Sequence, residues 1–294
     1  MIPNAFSLVC ITEFDSELAF IPRIPVIISS KKATRHELSV MPEIKLANIT
    51  QRTNLEKLFP LVVIDTETTG LSFQKDEIIE ISAIKYEVGF QAVSCYTSLT
   101  KPRGRISQSA SEVNHITDDM VKNAPPFSKI VEDFQKYITG CNIVGHNLLF
   151  DLKFLHVAGI NFTEKRKYFD TLDLSKKVLS AKGEKKFDHH KKKYVLIKNY
   201  DVENRKLDTL CEHYGIYRSI SHRSLSDCLA TGKLFGNLVA DKLSHSEESA
   251  ATMKKTKTAS WTIGGFFAFL KSLFLSVKSL FQSLDDFFNL HSRH

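Results

Sequence analysis

The feature that most constrains this chain is an apolar run, Leu61-Val62-Val63-Ile64, that leads straight into Asp65-Thr66-Glu67-Thr68-Thr69-Gly70. Four consecutive apolar residues ended by a turn signal predict a strand buried on both faces. Side chains alternate along a strand, so Asp65 and Glu67, two apart, project to one face of the sheet. Two close carboxylates repel one another unless a cation lies between them, and hard divalent cations favour oxygen ligands.

Two further segments supply partners. Asn142-Ile143-Val144 reads as a short buried strand ending at Gly145, after which Phe150, Phe154 and Val157 fall at a helical period. Asp151 then sits near a helix start, where a carboxylate also suits the helix dipole. In His222-Arg223-Ser224-Leu225-Ser226-Asp227, the apolar residues Leu225, Leu229 and Phe235 suit a helix face. That places Asp227 in the first turns and His222 in the loop leading in. Taken singly, each residue has an ordinary explanation: a turn acid for Asp65, a solvated acid for Glu67, a helix-start charge for Asp151, a surface acid for Asp227 and a capping group for His222. Their joint occurrence in this order is what carries weight.

Over roughly Leu61 to Val239, Asp65, Glu67, Asp151, His222 and Asp227 together resemble the DEDDh (DnaQ-like) 3′–5′ exonuclease family, which includes the proofreading epsilon subunit of DNA polymerase III. Val113-Asn114-His115-Ile116-Thr117 and Lys206 to Ile216 are similar to further segments of that family. The resemblance implies a ribonuclease H-like α/β fold, a mixed sheet flanked by helices. It implies two divalent cations, Mg²⁺ or Mn²⁺, held by Asp65, Glu67, Asp151 and Asp227. It also implies a general base, His222, since an imidazole accepts a proton near neutrality. By the same resemblance Thr68, Thr69, Gly70 and Leu71 lie against the terminal sugar, and His146, Asn147 and Phe150 contact phosphate or base. Phe154 serves equally well as plain core.

The implied activity is hydrolysis from the 3′ end of single-stranded nucleic acid, DNA before RNA, with a polymerase or repair protein as partner. An RNA-trimming exonuclease of the same family is the alternative, because discrimination rests on contacts to the 2′-OH. A non-catalytic nucleic-acid-binding scaffold would lack at least one of the acids or the histidine.

The coarse order is strands at Leu61–Ile64, Ile78–Tyr86 and Phe90–Thr100, then helices at Ser128–Ile138, Phe150–Gly159, Thr171–Leu179, Lys206–Tyr214 and Ser224–Val239. A net charge of +7 fits a polyanionic partner. Cys10, Cys95, Cys141, Cys211 and Cys228 are scattered without a Cys-x-x-Cys pair, and no secretory signal is visible, so a reduced, cytoplasmic setting is expected.

We divide the chain into an N-terminal extension of unassigned role (1–58), the exonuclease domain (59–240), a polar linker (241–260) and an amphipathic helix (261–290). The extension contains a strand-like Ile24-Pro25-Val26-Ile27-Ile28. A basic segment between Lys176 and Lys198, with Lys182, Lys185, Lys186, Lys191, Lys192 and Lys193, reads either as a phosphate contact or as a solvated loop. His189-His190 lacks acidic or cysteine partners at ligand spacing and is no metal site. In the last segment Phe266, Leu270, Leu273, Val277, Leu280, Leu284 and Phe287 alternate at spacings of four and three beside Phe267, Phe274, Phe281 and Phe288. That stripe suits peripheral contact with a membrane surface or contact with a protein, or packing back onto the domain.

Overall fold

The computed structural model describes residues 8–11, 41–162, 165–188, 192–218 and 221–254. Strands β1 (Leu8–Ile11), β2 (Leu61–Thr68), β3 (Ile78–Glu87), β4 (Gln91–Leu99), β5 (Asn142–Gly145) and β6 (Tyr168–Asp170) form one six-stranded sheet in the order β1-β4-β3-β2-β5-β6. β2, β3 and β4 run antiparallel, and β5 and β6 join parallel to β2, so the sheet is mixed. The apolar run at its centre is buried on both faces, as its composition requires. Val62 and Ile64 belong to one core cluster, and Leu61 and Val63 to the other.

Helices α1 (Gln108–Asn114), α2 (Asp118–Val121), α3 (Val131–Ile138), α4 (Leu148–Val157), α5 (Thr171–Lys176), α6 (Leu207–His213) and α7 (Ser224–Lys254) complete the domain. α3 and α4 contribute Phe134, Ile138, Leu148, Leu152 and Leu155 to the Val62/Ile64 face. α7 contributes Cys228, Leu234, Phe235, Leu238 and Val239 to the Leu61/Val63 face. Burying a side chain such as Phe235 contributes about 1.5–3 kcal/mol. These two layers fix where α4 and α7 begin, and both begin at the end of β2 that carries the acids.

The domain boundaries differ from those read in the sequence. Residues 41–58, assigned to an extension, are part of the domain: Ile49 and Leu58 are buried in the core, and Leu46 bridges Tyr168 in parallel beyond β6. β1 adds an antiparallel edge strand to β4. Polar composition suggested a linker from residue 241, yet α7 continues unbroken to Lys254. Its inner face is still occupied at Leu243, and Tyr214 donates to Asp241 at 2.6 Å, so tertiary packing carries the helix past the point where apolar periodicity fades. The basic segment contains a hairpin, β7 (Lys185–Asp188) with β8 (Lys193–Leu196).

Among the described residues, Cys211 and Cys228 are free thiols. Among the described residues no helix is long and apolar enough to cross a membrane. The 24–28 strand, His189-His190 and the 261–290 helix lie outside the described residues.

Candidate active site

Asp65 and Glu67 leave β2 on the face covered by α7, where Asp227 stands one turn into the helix. Ligand atoms of these three side chains lie within 4.8 Å of one another, with Asp227 buried and the other two partly accessible. The register of β2 against β3 shifts between Glu67 and Thr68, a bulge that ends the strand just beyond the acids.

Asp151 comes from the opposite face. It is 3 % exposed, and its Oδ1 accepts from the Thr66 backbone N–H at 2.9 Å and from Thr66 Oγ1 at 2.7 Å. Thr66 points away from Asp65 and Glu67 because strand side chains alternate. Asp151 therefore reaches the site around the edge of β2 and stands apart from the three-carboxylate cluster, although its charge raises the pKa of Asp65 more than any other charge does.

His222 is exposed in the loop before α7 and has a left-handed φ of 58°, close enough to Asp227 to draw its pKa down. Arg218 acts on Asp227 in the same direction, and it ion-pairs both Asp227 and Asp208.

Burial dominates the electrostatics. It raises Asp65 well above the usual carboxylate range, with the charges of Asp151, Asp227 and Glu67 adding to the effect. Glu67 is pushed up to about 8 and Asp151 to about 7, each mainly by burial. Asp227 moves up for the same reason despite Arg218. Four acids held this way resist ionisation on their own, and buried charge of one sign is tolerated when a cation neutralises it. The donor set, oxygen only and convergent, fits a hard divalent cation.

The Exonuclease family model matches residues 62–235. The chain belongs to the exonuclease family. Among curated proteins, DNA polymerase III subunit epsilon of Treponema pallidum (strain Nichols) is 31% identical over 180 residues, which is 60% of this chain and 74% of that protein. The PolC-type DNA polymerase III of Oceanobacillus iheyensis is 34% identical over 182 residues, but they make up only 11% of that polymerase. This exonuclease thus spans about a tenth of the length of its PolC-type relatives. A solved structure of exonuclease I aligns with a TM-score of 0.50 at 16% identity, covering 66% of this chain and 43% of that one, a likeness of fold.

The other positions named from the sequence lie at the end of β2 and the turn after it, and on the turn and helix after β5. Thr68 and Thr69 are buried. Thr68 Oγ1 donates to the Gly70 carbonyl at 2.6 Å and Thr69 Oγ1 to Asp76 Oδ1 at 3.1 Å. Gly70 is required there, since a Cβ would stand 2.6 Å from the Asp76 carboxylate. Leu71, 86% exposed, projects from the turn that follows.

His146 Nδ1 pairs with Thr171 Oγ1 at 2.9 Å, and burial lowers its pKa to about 4. It is therefore neutral near neutral pH. Asn147 is exposed at a φ of 59°, in a turn held by its own N–H donating to Asp170 Oδ1 at 2.9 Å. Phe150 is partly buried against Phe154, with ring centroids 4.9 Å apart, and Phe154 is core.

Two supporting carboxylates escape sequence reasoning. Asp170 accepts from the N–H groups of Asn147, Leu148 and Leu172, so one side chain caps the starts of α4 and α5. Glu80, 4% exposed on β3, accepts from Arg223 Nη2 at 2.6 Å and from the Ser224 N–H at 2.9 Å. Ser224 Oγ also pairs with Ser82 Oγ at 2.7 Å. Glu80 therefore clamps the residues flanking His222 and the α7 start, and a negative charge at a helix N-terminus is favourable in itself. Glu80→Gln keeps the shape and removes the charge that holds Arg223. Turnover should fall about 10–100-fold with KM nearly unchanged. Steady-state kinetics on one oligonucleotide checks this, and wild-type kcat in the variant would rule out the clamp.

Proposed function

We propose that this chain is a 3′→5′ exonuclease that releases nucleoside 5′-monophosphates from single-stranded ends, with DNA the preferred polymer. The observation that carries the reading is the convergence of Asp65, Glu67 and Asp227 within 4.8 Å, with His222 on the loop entering the same helix. Asp65, Glu67 and Asp227 would hold one divalent cation, Mg²⁺ or Mn²⁺, and Asp151 would help to hold a second. Bound cations of this kind supply Lewis acidity at the phosphate and ease deprotonation of the attacking water.

The chain's own groups do the rest. His222 takes the proton of the water, and its exposed position lets that proton leave to solvent. Arg218 holds Asp227 in place and would keep Asp208 as a partner if Asp227 turned to a cation. Thr68, Thr69 and Gly70 form the wall beside the terminal sugar, Leu71 offers an apolar face to the last base, and the His146–Asn147 turn lies beside the phosphate. The names of the relatives support a DNA polymerase as partner.

The test uses purified chain with 5′- and 3′-labelled DNA and RNA oligomers, in Mg²⁺ or Mn²⁺ against EDTA. Metal-dependent shortening from the 3′ end, faster on DNA, supports the reading. Faster trimming of RNA moves it to the RNA-trimming alternative, and internal cuts or no cleavage overturn it.

A second consequence is thermodynamic. The raised carboxylates hold protons in the folded, metal-free protein that they would release on unfolding at the same pH. The stability this gives is complete below their unfolded values and is lost as pH rises through their folded ones, about 7 for Asp151 and about 8 for Glu67. In EDTA the melting temperature should fall between about pH 5 and about pH 8, and the increment given by Mn²⁺ should grow across that window because binding displaces protons. Thermal denaturation at both ends checks it, and an increment equal at both ends would refute it.

A further inference from the structure

The β7–β8 hairpin exposes what a solvated loop would hide. Its register pairs Phe187 with Tyr194 and Lys185 with Leu196, so these four side chains share one face. That face looks outward: Phe187 is 43% exposed, Leu196 59% and Tyr194 69%, whereas Asp188 and Val195 on the other face are partly covered. The two rings stand edge to face with centroids 5.3 Å apart. Lys185 shares that face, Lys192 and Lys198 flank the two strands, and Lys186 and Lys193 stand exposed on the opposite face; none of the five forms an ion pair among the described residues.

The base of the hairpin is fixed. Ile197 N–H donates to the Glu184 carbonyl at 2.9 Å, and Arg205 grips the Glu184 carboxylate through both Nη1 and Nη2. The Arg205 backbone also lies close enough to His146 to act on its imidazole, which puts the base of the hairpin next to the turn between β5 and α4.

We propose that this face is a binding platform for the single-stranded stretch of substrate upstream of the 3′ end, with bases stacking on Tyr194 and Phe187 and phosphates drawn to the flanking lysines. The inference rests on the proposed action on single-stranded nucleic acid. Apolar surface flanked by unpaired positive charge suits a ligand with π-faces and a regular negative charge, and it repels a basic protein. Each stacked base contributes enough that losing its partner weakens binding about 5-fold or more. Each phosphate released from a lysine lowers the salt slope of binding by about 0.7.

The experiment measures anisotropy of 5′-labelled single-stranded DNA of about 4 and about 16 nucleotides in EDTA, where the carboxylate site gives no attraction. It compares the full chain with Phe187→Ala/Tyr194→Ala and with Lys185→Ala/Lys192→Ala/Lys198→Ala. Hydrolysis of the p-nitrophenyl ester of thymidine 5′-monophosphate, a substrate too short to reach the hairpin, is followed in parallel with Mn²⁺.

The aromatic variant should bind the longer strand at least about 5-fold more weakly, the lysine variant should show a shallower salt slope, and both should hydrolyse the ester like wild type. Unchanged affinity for the longer strand overturns the platform, leaving a protein partner as the occupant of that face. Ester hydrolysis falling in step with strand binding overturns it too, because the hairpin then acts through the fold. Should the wild type cleave nothing while the variants still lose strand binding, the hydrolytic reading fails and the platform stands.

Discussion

Asp65→Asn will reduce exonuclease turnover at least about 10³-fold and will raise the melting temperature of the metal-free protein. The loss follows from position. Asp65 belongs to the 4.8 Å cluster and is also raised by the charge of Asp151, so on the proposed reading it is the carboxylate both cations would share. Charge stabilisation by catalytic cations amounts to several kcal/mol; about 4 kcal/mol corresponds to about 10³ in rate. The gain in stability follows from the same place: burial and the charges of Asp151, Asp227 and Glu67 all oppose ionisation of Asp65. An amide of equal shape removes that repulsion.

Asp227→Asn should lose turnover comparably without the thermal gain, because Arg218, whose side chain is only 6% exposed, forfeits one of its two carboxylates. Kinetics on one oligomer and thermal denaturation in EDTA at about pH 8 separate the two effects. Turnover of Asp65→Asn within tenfold of wild type would remove the carboxylate cluster from the chemistry. A lower melting temperature would mean that Asp65 is held by a partner rather than strained by its neighbours.

What the sequence could reveal was set by local periodicity. The run Leu61–Ile64 has only one reading that buries four apolar residues in succession, and alternation placed Asp65 and Glu67 on one face without knowledge of any neighbour. The helical spacing after Gly145 and after Ser224 put Asp151 and Asp227 at helix starts, where the structure has them. Alternation also contained the clue that Asp151 comes from the other face, since Thr66 lies between the two acids, but the packing side of α4 is a tertiary fact.

Glu80 was illegible for a similar reason. It sits in the strand Ile78–Glu87 as an acid among apolar residues, and its partner Arg223 is 143 positions away. Asp170 serves two helix starts, only one of which adjoins it in sequence. In the basic segment the lysines were conspicuous, but strand signals of four residues each are too short to distinguish a hairpin from a loop.

His222→Asn will lower kcat about 10²–10⁴-fold, the range expected for removing a general base, and will leave KM and the Mn²⁺-induced rise in melting temperature in place. Asparagine is the informative replacement because His222 occupies a left-handed conformation, φ 58°, that Asn tolerates and most side chains do not. An alanine would add backbone strain at the entrance to α7 and displace Asp227, confusing loss of a base with loss of a metal ligand. With the turn preserved, the Glu80 carboxylate still grips Arg223 and the Ser224 N–H, so the carboxylates keep their spacing while only the proton acceptor is gone.

The size of the loss separates the roles. On the proposed reading bound cations would already ease deprotonation of the water, so loss of a base leaves a residual rate that loss of Asp65 does not. If His222→Asn is as inactive as Asp65→Asn and has also lost its thermal response to Mn²⁺, His222 is acting on the metal site itself. If it retains turnover within tenfold of wild type, the proton leaves by solvent alone and the loop serves only to start α7.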